Sequence, residues 1–205
     1  MRIYYGGSFN PPHIGHHQIL KALLNFPNAT HVHLIPTSQN PLKSEISLGL
    51  FTYEQRWQLI ETWLGELKSN ERSRVILESI EIDVARAAGY EVPQYTIDSF
   101  STIEARLPGE KWALAIGQDI LLSLEKWKSV EVLLKKFERI IVFSRGGDSL
   151  IKIPARLSKL SQFVVLPDEI ANISSSLIRE SLNSDEETTG ALLPSVRFKI
   201  FDFIG

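Results

Sequence analysis

Apolar and polar residues change period repeatedly along this chain. Arg2–Tyr5 is a short β-favouring run that stops at Gly6-Gly7, and the apolar positions Ile14, Ile19, Leu20, Leu23 and Leu24 then return at helical spacing. His31–Pro36 predicts the next strand, and the polar, proline-containing stretch from Thr37 to about Gly49 predicts a long loop. Tyr53, Trp57, Ile60 and Leu64 put a helix over Thr52–Leu64. Val75, Ile76, Ile80 and Ile82 put a strand over Arg74–Ile82.

The alternation continues to the end. Phe100, Ile103 and Leu107 share one helical face of Thr96–Leu107, and Lys111–Ile116 reads as a buried strand. Ile120–Lys136 is helical with a break near Trp127–Ser129. Ile140–Phe143 and Phe163–Leu166 are further strands, and Ser174–Leu182 and Val196–Ile204 are closing helices. Strands alternating with helices in this way predict an α/β fold. We expect a Rossmann-like, doubly wound parallel sheet with helices on both faces and ligands at the carboxyl ends of the strands.

Composition narrows the chemistry. The 205 residues, 43% of them hydrophobic, suffice for one compact domain, and no composition shift marks an internal boundary. Lysine and arginine total 22 against 24 acidic residues, so the basic excess of a nucleic-acid-binding surface is missing. The absence of cysteine removes disulfide frameworks, thiolate nucleophiles, iron–sulfur clusters and thiolate zinc sites. Without a signal-like apolar segment or a membrane-length run, the expectation is a soluble cytoplasmic protein. The acidic stretch Asp185–Glu187 reads as a solvated loop.

The most informative segment is Gly6-Gly7-Ser8-Phe9-Asn10-Pro11-Pro12-His13-Ile14-Gly15-His16. Glycines directly after a strand allow close backbone approach, and the helix start that follows offers unpaired N–H groups to an anion. His13 and His16 lie on one face of the first turn, with Gly15 leaving room for a polyphosphate. The segment lacks the lysine and spacing of a Walker P-loop and does not match G-x-G-x-x-G.

His13-Ile14-Gly15-His16, in its Gly-Gly-Ser-Phe-x-Pro context, resembles the signature of the H-x-G-H nucleotidyltransferase superfamily. Within it the chain is most similar to the bacterial nicotinate-nucleotide adenylyltransferases. Ile173-Ser174-Ser175-Ser176-Leu177-Ile178-Arg179 resembles the family's I-S-S-T-x-I-R run, and Pro93-Gln94-Tyr95-Thr96-Ile97-Asp98 its P-S-Y-T-I-D run. Gly117-Gln118-Asp119 with Trp127, Ser144-Arg145-Gly146-Gly147, and Leu193-Pro194-Ser195-Val196 resemble its later segments. Asn10 stands where aspartate is frequent, Ser176 where threonine is usual, and Lys128 where an aromatic is common.

The resemblance implies one nucleotidyltransferase domain over residues 1–205. It also implies transfer of the AMP moiety of ATP to nicotinate mononucleotide, with pyrophosphate leaving. His13, His16, Lys43 and Arg179 would stabilise the reacting phosphates. Gly6, Gly7, Ser8, Phe9, Gly15, Gly117, Asp119, Ser144, Arg145, Ile173, Ser174 and Ser175 would form the ATP side. Asn40, Arg56, Tyr95, Thr96 and Trp127 would form the acceptor side, although Arg56 could equally serve as a structural ion-pair partner. Lys128 could approach a nicotinate carboxylate or point to solvent. Magnesium would accompany the triphosphate, with Asp119 a weak candidate ligand. The partners are thus ATP and nicotinate mononucleotide, with no nucleic acid or membrane; a homo-oligomer stays open.

Two alternatives remain: another acceptor, such as nicotinamide mononucleotide, phosphopantetheine or a polyol phosphate; or a non-catalytic nucleotide-binding regulator. A helix-start imidazole facing solvent carries little packing, so His16→Ala is expected to lower turnover far more than stability.

Overall fold

The computed structural model describes residues 1–38, 51–88, 93–145, 153–171, 173–183 and 190–204. Its centre is a six-stranded sheet in which every paired strand runs parallel: β1 (Arg2–Gly7), β2 (His31–Pro36), β3 (Val75–Leu77), β4 (Trp112–Gly117), β5 (Arg139–Arg145) and β6 (Gln162–Ile170). The order β3-β2-β1-β4-β5-β6 makes the chain wind outward in both directions from the β1/β4 pair. The carboxyl ends of those two strands diverge into opposite connections and leave a crevice there.

Strand periodicity sorts the apolar residues onto two faces. Ile3, Tyr5, Ala113, Ala115, Ile141 and Phe143 face α1 (Ile14–Leu24), α2 (Tyr53–Leu64) and α9 (Pro194–Ile204), whose Leu20, Leu23, Trp63 and Ile200 complete one core. Tyr4, Leu114, Ile116, Ile140 and Val142 face the other way. They pack on Phe100 and Ile103 of α5 (Thr96–Arg106) and on Leu133 and Leu134 of α7 (Val130–Lys135). Burial of each such side chain stabilises the fold by roughly 1.5–3 kcal/mol. The remaining helices are α3 (Ser69–Arg72), α4 (Ile80–Ala87), α6 (Gln118–Leu121) and α8 (Ser175–Asn183). Among the described residues, no helix is long and apolar enough to cross a membrane.

Helix starts follow from local chemistry. Thr52 and Gln55 form a reciprocal capping box before α2: the Gln55 N–H donates to Thr52 Oγ1 at 3.2 Å and the Thr52 N–H to Gln55 Oε1 at 2.9 Å. The strand expected over Arg74–Ile82 is shorter than its apolar pattern suggests, because β3 stops at Leu77 and Ile80 opens α4. Glu81 and Asp83 in the first turn of α4 and Arg86 in its last favour that helix through its dipole. The break expected near Trp127–Ser129 is present: a 3-10 turn over Leu124–Lys126 precedes Ser129, which takes a left-handed φ of 51° before α7.

Candidate active site

A cleft of about 340 Å³ opens at the carboxyl ends of β1 and β4, the crevice the sheet order creates. Gly6, Gly7 and Ser8 form its floor on the β1 side. A Cβ on Gly7 would lie 3.0 Å from the Phe9 ring, so the turn rests directly on that side chain. Phe9 does not line the cleft. It is wholly buried at a φ of 45°, held there by edge-on contacts with Tyr5 at 5.4 Å and His16 at 5.0 Å. A bulky residue keeps a left-handed backbone only where its surroundings fix it, and this aromatic cage does so.

His13 and His16 stand at the start of α1 with ring centroids 3.8 Å apart. They do not face solvent as expected, because only 1% of His13 and 7% of His16 is exposed. His16 reaches the cleft, whereas His13 lies behind it. A Cβ on Gly15 would come within 3.1 Å of the His13 ring and 3.4 Å of the Ala171 carbonyl, so the space at this glycine admits protein atoms. The His13 backbone N–H donates to His16 Nδ1 at 3.2 Å. A backbone amide always carries its proton, so the neutral His16 ring must carry its own on Nε2, as a donor.

The second phosphate-facing segment arrives from the far end of the chain. The Leu177 N–H donates to Ser174 Oγ at 3.2 Å, capping α8 as a serine at that position should. Ser175 Oγ donates to the Pro11 carbonyl at 3.0 Å, and Arg179 donates to the Asn10 carbonyl at 2.7 Å and to Ser176 Oγ at 3.1 Å. The Ala171 N–H donates to Gln18 at 2.8 Å. These bonds seat α8 on the loop before α1, so Ser174, Ser175 and Arg179 share the cleft with His16. Ile173 packs against the core beneath them.

On the β4 side, Gly117 and Asp119 line the cleft. A Cβ on Gly117 would fall 2.3 Å from Asp119 Oδ1, so only glycine permits this carboxylate position. Ser144 does not line the cleft but braces its edge, donating to Gln118 Oε1 at 3.0 Å; the Arg145 side chain, like Asn40 and Lys43, lies outside the described residues. Tyr95, Thr96 and Trp127 line the opposite end. Trp127 both packs against the second core and lines the cleft. Lys128 lines the cleft and pairs with Asp98 at 2.8 Å, with its ammonium 4.7 Å from the centre of the Tyr95 ring.

Arg56 lies away from the cleft lining. Buried on α2, it donates to the Ser8 carbonyl at 2.7 Å and the Thr37 carbonyl at 2.8 Å, clamping the ends of β1 and β2 together. Its hydrogen bonds run to backbone carbonyls, and among the described residues it forms no ion pair with a carboxylate. Thr37, Gln94 and Glu81 do line the cleft, and sequence reasoning passed over all three. Glu81 accepts from Ser99 Oγ at 2.9 Å and from the Ser38 N–H at 3.2 Å. Burial pushes its carboxyl up to about 7, against the lowering effect of those donors and of Arg56.

No group of three metal-binding side chains is present among the described residues. With Asp119 as the carboxylate on the β4 side, the lining fits a magnesium ion held chiefly by phosphate oxygens and water, not a cage built of protein ligands.

Residues 4–181 match the family model described as cytidylyltransferase-like. A Leptospira interrogans protein named a probable nicotinate-nucleotide adenylyltransferase is 32% identical over 179 residues, covering 86% of this chain and 82% of that one. A Flavobacterium johnsoniae protein of the same name is 27% identical, covering 94% of this chain and 91% of its own. In fold, the chain is similar to the Plasmodium falciparum nicotinic acid mononucleotide adenylyltransferase solved with NaAD, with a TM-score of 0.79 at 20% identity over 98% of this chain and 95% of that one. With its H-x-G-H turn and serine-arginine helix meeting at one crevice, the chain belongs to the cytidylyltransferase-like family and, within it, to the nicotinate-nucleotide adenylyltransferases.

Proposed function

We propose that the protein transfers the adenylyl group of ATP to nicotinate mononucleotide, giving nicotinate adenine dinucleotide and pyrophosphate. The observation that carries this reading is the convergence of His16 and Arg179 on one cleft at the β1/β4 strand ends. The 5′-phosphate oxygen of the mononucleotide attacks the α-phosphorus of ATP, and the bond to the bridging oxygen of pyrophosphate breaks in line. No side chain becomes covalently attached.

Catalysis rests on alignment and on charge neutralisation. Nε2 of His16 donates to a phosphate oxygen as negative charge grows between the α- and β-phosphates. Arg179 adds a fixed guanidinium beside the N-terminus of α8, and its bond to the Asn10 carbonyl sets its reach. His13 packs behind His16 and holds the ring pair in place. Lys43 adds a further cation from the segment after β2. Asp119 would be the carboxylate offered to a magnesium ion bound with ATP, which would neutralise phosphate charge there. The end of the cleft lined by Tyr95, Thr96 and Trp127 takes the pyridine ring, with the indole as a flat stacking surface.

Pyrophosphate release measured with ATP, magnesium and each acceptor in turn tests the reading. Turnover is expected with nicotinate mononucleotide in preference to nicotinamide mononucleotide and phosphopantetheine. ATP binding with no pyrophosphate from any acceptor would instead mark a nucleotide-binding regulator.

A further inference from the structure

Glu81 is only 4% exposed, yet it lines the wall of the cleft. Its two oxygens join two elements. Oε2 accepts from the Ser38 N–H, at the start of the segment after β2, and Oε1 accepts from the Ser99 hydroxyl in the first turn of α5. The Ser99 hydroxyl has a second acceptor, the carbonyl of Tyr95, at 3.3 Å. The Tyr4 side chain also bonds this hydroxyl. Its one proton cannot serve both the Glu81 carboxylate and the Tyr95 carbonyl fully, so two arrangements exist between them. With Glu81 ionised, Ser99 donates to the carboxylate. With Glu81 neutral, the carboxyl donates to Ser99 Oγ, and Ser99 turns its own proton to the carbonyl of Tyr95, a residue that lines the cleft.

We propose that Glu81 is a positioning residue for the acceptor nucleotide, and that its negative charge weakens binding of that anion while its neutral form holds the Tyr95–Thr96 wall in the receptive arrangement. The proposal rests on the reading that this end of the cleft takes nicotinate mononucleotide, which carries both a carboxylate and a phosphate. The groups facing Glu81 are Arg56 and Tyr53 from α2, Tyr4 from β1, Ser99 from α5 and the Ser38 backbone. Arg56 is the cation among them, and it is already bonded to the Ser8 and Thr37 carbonyls. Burial places the ionisation of Glu81 at about 7, where both arrangements are populated.

The test is the KM for nicotinate mononucleotide at saturating magnesium and ATP, measured across pH for the wild type, Glu81→Gln and Ser99→Ala. Glutamine copies the neutral carboxyl, because its oxygen accepts from Ser38 and its amide donates to Ser99. The ratio of wild-type to Glu81→Gln KM is expected to rise by roughly threefold or more in one step centred near neutrality. Taking the ratio cancels the titration of the substrates. The same ratio for ATP stays flat, and so does the ratio of kcat.

Ser99→Ala removes a donor that favours the ionised form, so the step moves to higher pH. Should Glu81→Gln fail to fold, the wild type against Ser99→Ala still shows a difference confined to the pH range between the two midpoints. A ratio independent of pH, or a midpoint unmoved by Ser99→Ala, overturns the inference while leaving the function standing. A wild type that releases no pyrophosphate with this acceptor overturns both.

Discussion

At the scale of the residue, the site depends on side chains whose neighbours leave them one useful orientation. His16 lies against Phe9 and His13, and its Nδ1 accepts a backbone N–H, so its role and its packing cannot be separated. His16→Ala should lower kcat/KM by about 10²–10³ through loss of a donor to the developing charge. It should also lower stability by about 1–3 kcal/mol, because a buried ring and a backbone partner go with it. Steady-state kinetics and urea unfolding check the two parts separately, and near-wild-type turnover would remove His16 from the mechanism. Gly117 makes a complementary case. Its φ of −74° is open to any residue, so the requirement for glycine comes from the Asp119 oxygen 2.3 Å from where a Cβ would sit. Gly117→Ala should therefore displace that carboxylate and raise the KM for magnesium-ATP, with a nearly unchanged circular dichroism spectrum. An unaltered KM would show that Asp119 has no part in nucleotide binding.

At the scale of the element, Arg56 is the clearest example of a residue whose importance lies in what it joins. Its guanidinium bonds the carbonyls that end β1 and β2 and lies 5.0 Å from the Tyr53 ring centroid, so it holds the cleft floor to α2. Arg56→Met would leave those carbonyls and Glu81 without their cation. It should cost about 2–4 kcal/mol, measurable as a lower urea midpoint, and a change below 1 kcal/mol would deny it the clamp. The sequence pattern already carried most of the elements, because β1, α1, β2, α2 and α5 each have an unambiguous period and a turn or cap at the end. Val75–Ala87 did not, since Ile76, Ile80 and Ile82 fit a strand and part of a helix equally. Only pairing with β2 ends β3 at Leu77. The H-x-G-H and serine-arginine segments were legible as a site because their chemistry is local. Glu81 was not, because its partners Ser38 and Ser99 lie 43 and 18 residues away and only the folded sheet brings them to it. The burial of both histidines escaped for the same reason: the aromatic residues covering His16 come from the β1 turn and from Trp63 on α2.

At the scale of the whole molecule, the chain buries two carboxyls just after β3, at Glu78 and Glu81, and those groups make stability depend on pH. Burial alone would raise the Glu78 carboxyl, but hydrogen bonds from His33 at 2.8 Å and Arg106 at 2.6 Å outweigh it and hold that carboxyl below the usual carboxylate range. A group depressed in this way contributes stability above its unfolded pKa and loses it as pH falls through the folded one. Glu81 acts in the opposite sense. Its folded value of about 7 stands above the ordinary 4.5, so between those two values the folded chain keeps a proton that the unfolded chain has released. Folding stability must therefore fall as pH rises through that window, by up to about 3 kcal/mol in all, with the full loss present above neutrality. Glutamine has no proton to lose. The stability of Glu81→Gln minus that of the wild type should consequently grow from about pH 4.5 to about pH 7.5 and then level off, as read from urea midpoints at a series of pH values. The Glu78 contribution is common to both proteins and cancels in the difference. A difference that stays constant with pH would mean that Glu81 titrates as an exposed carboxylate does, and a carboxylate of that kind could not switch the Ser99 hydroxyl between its two acceptors near neutrality.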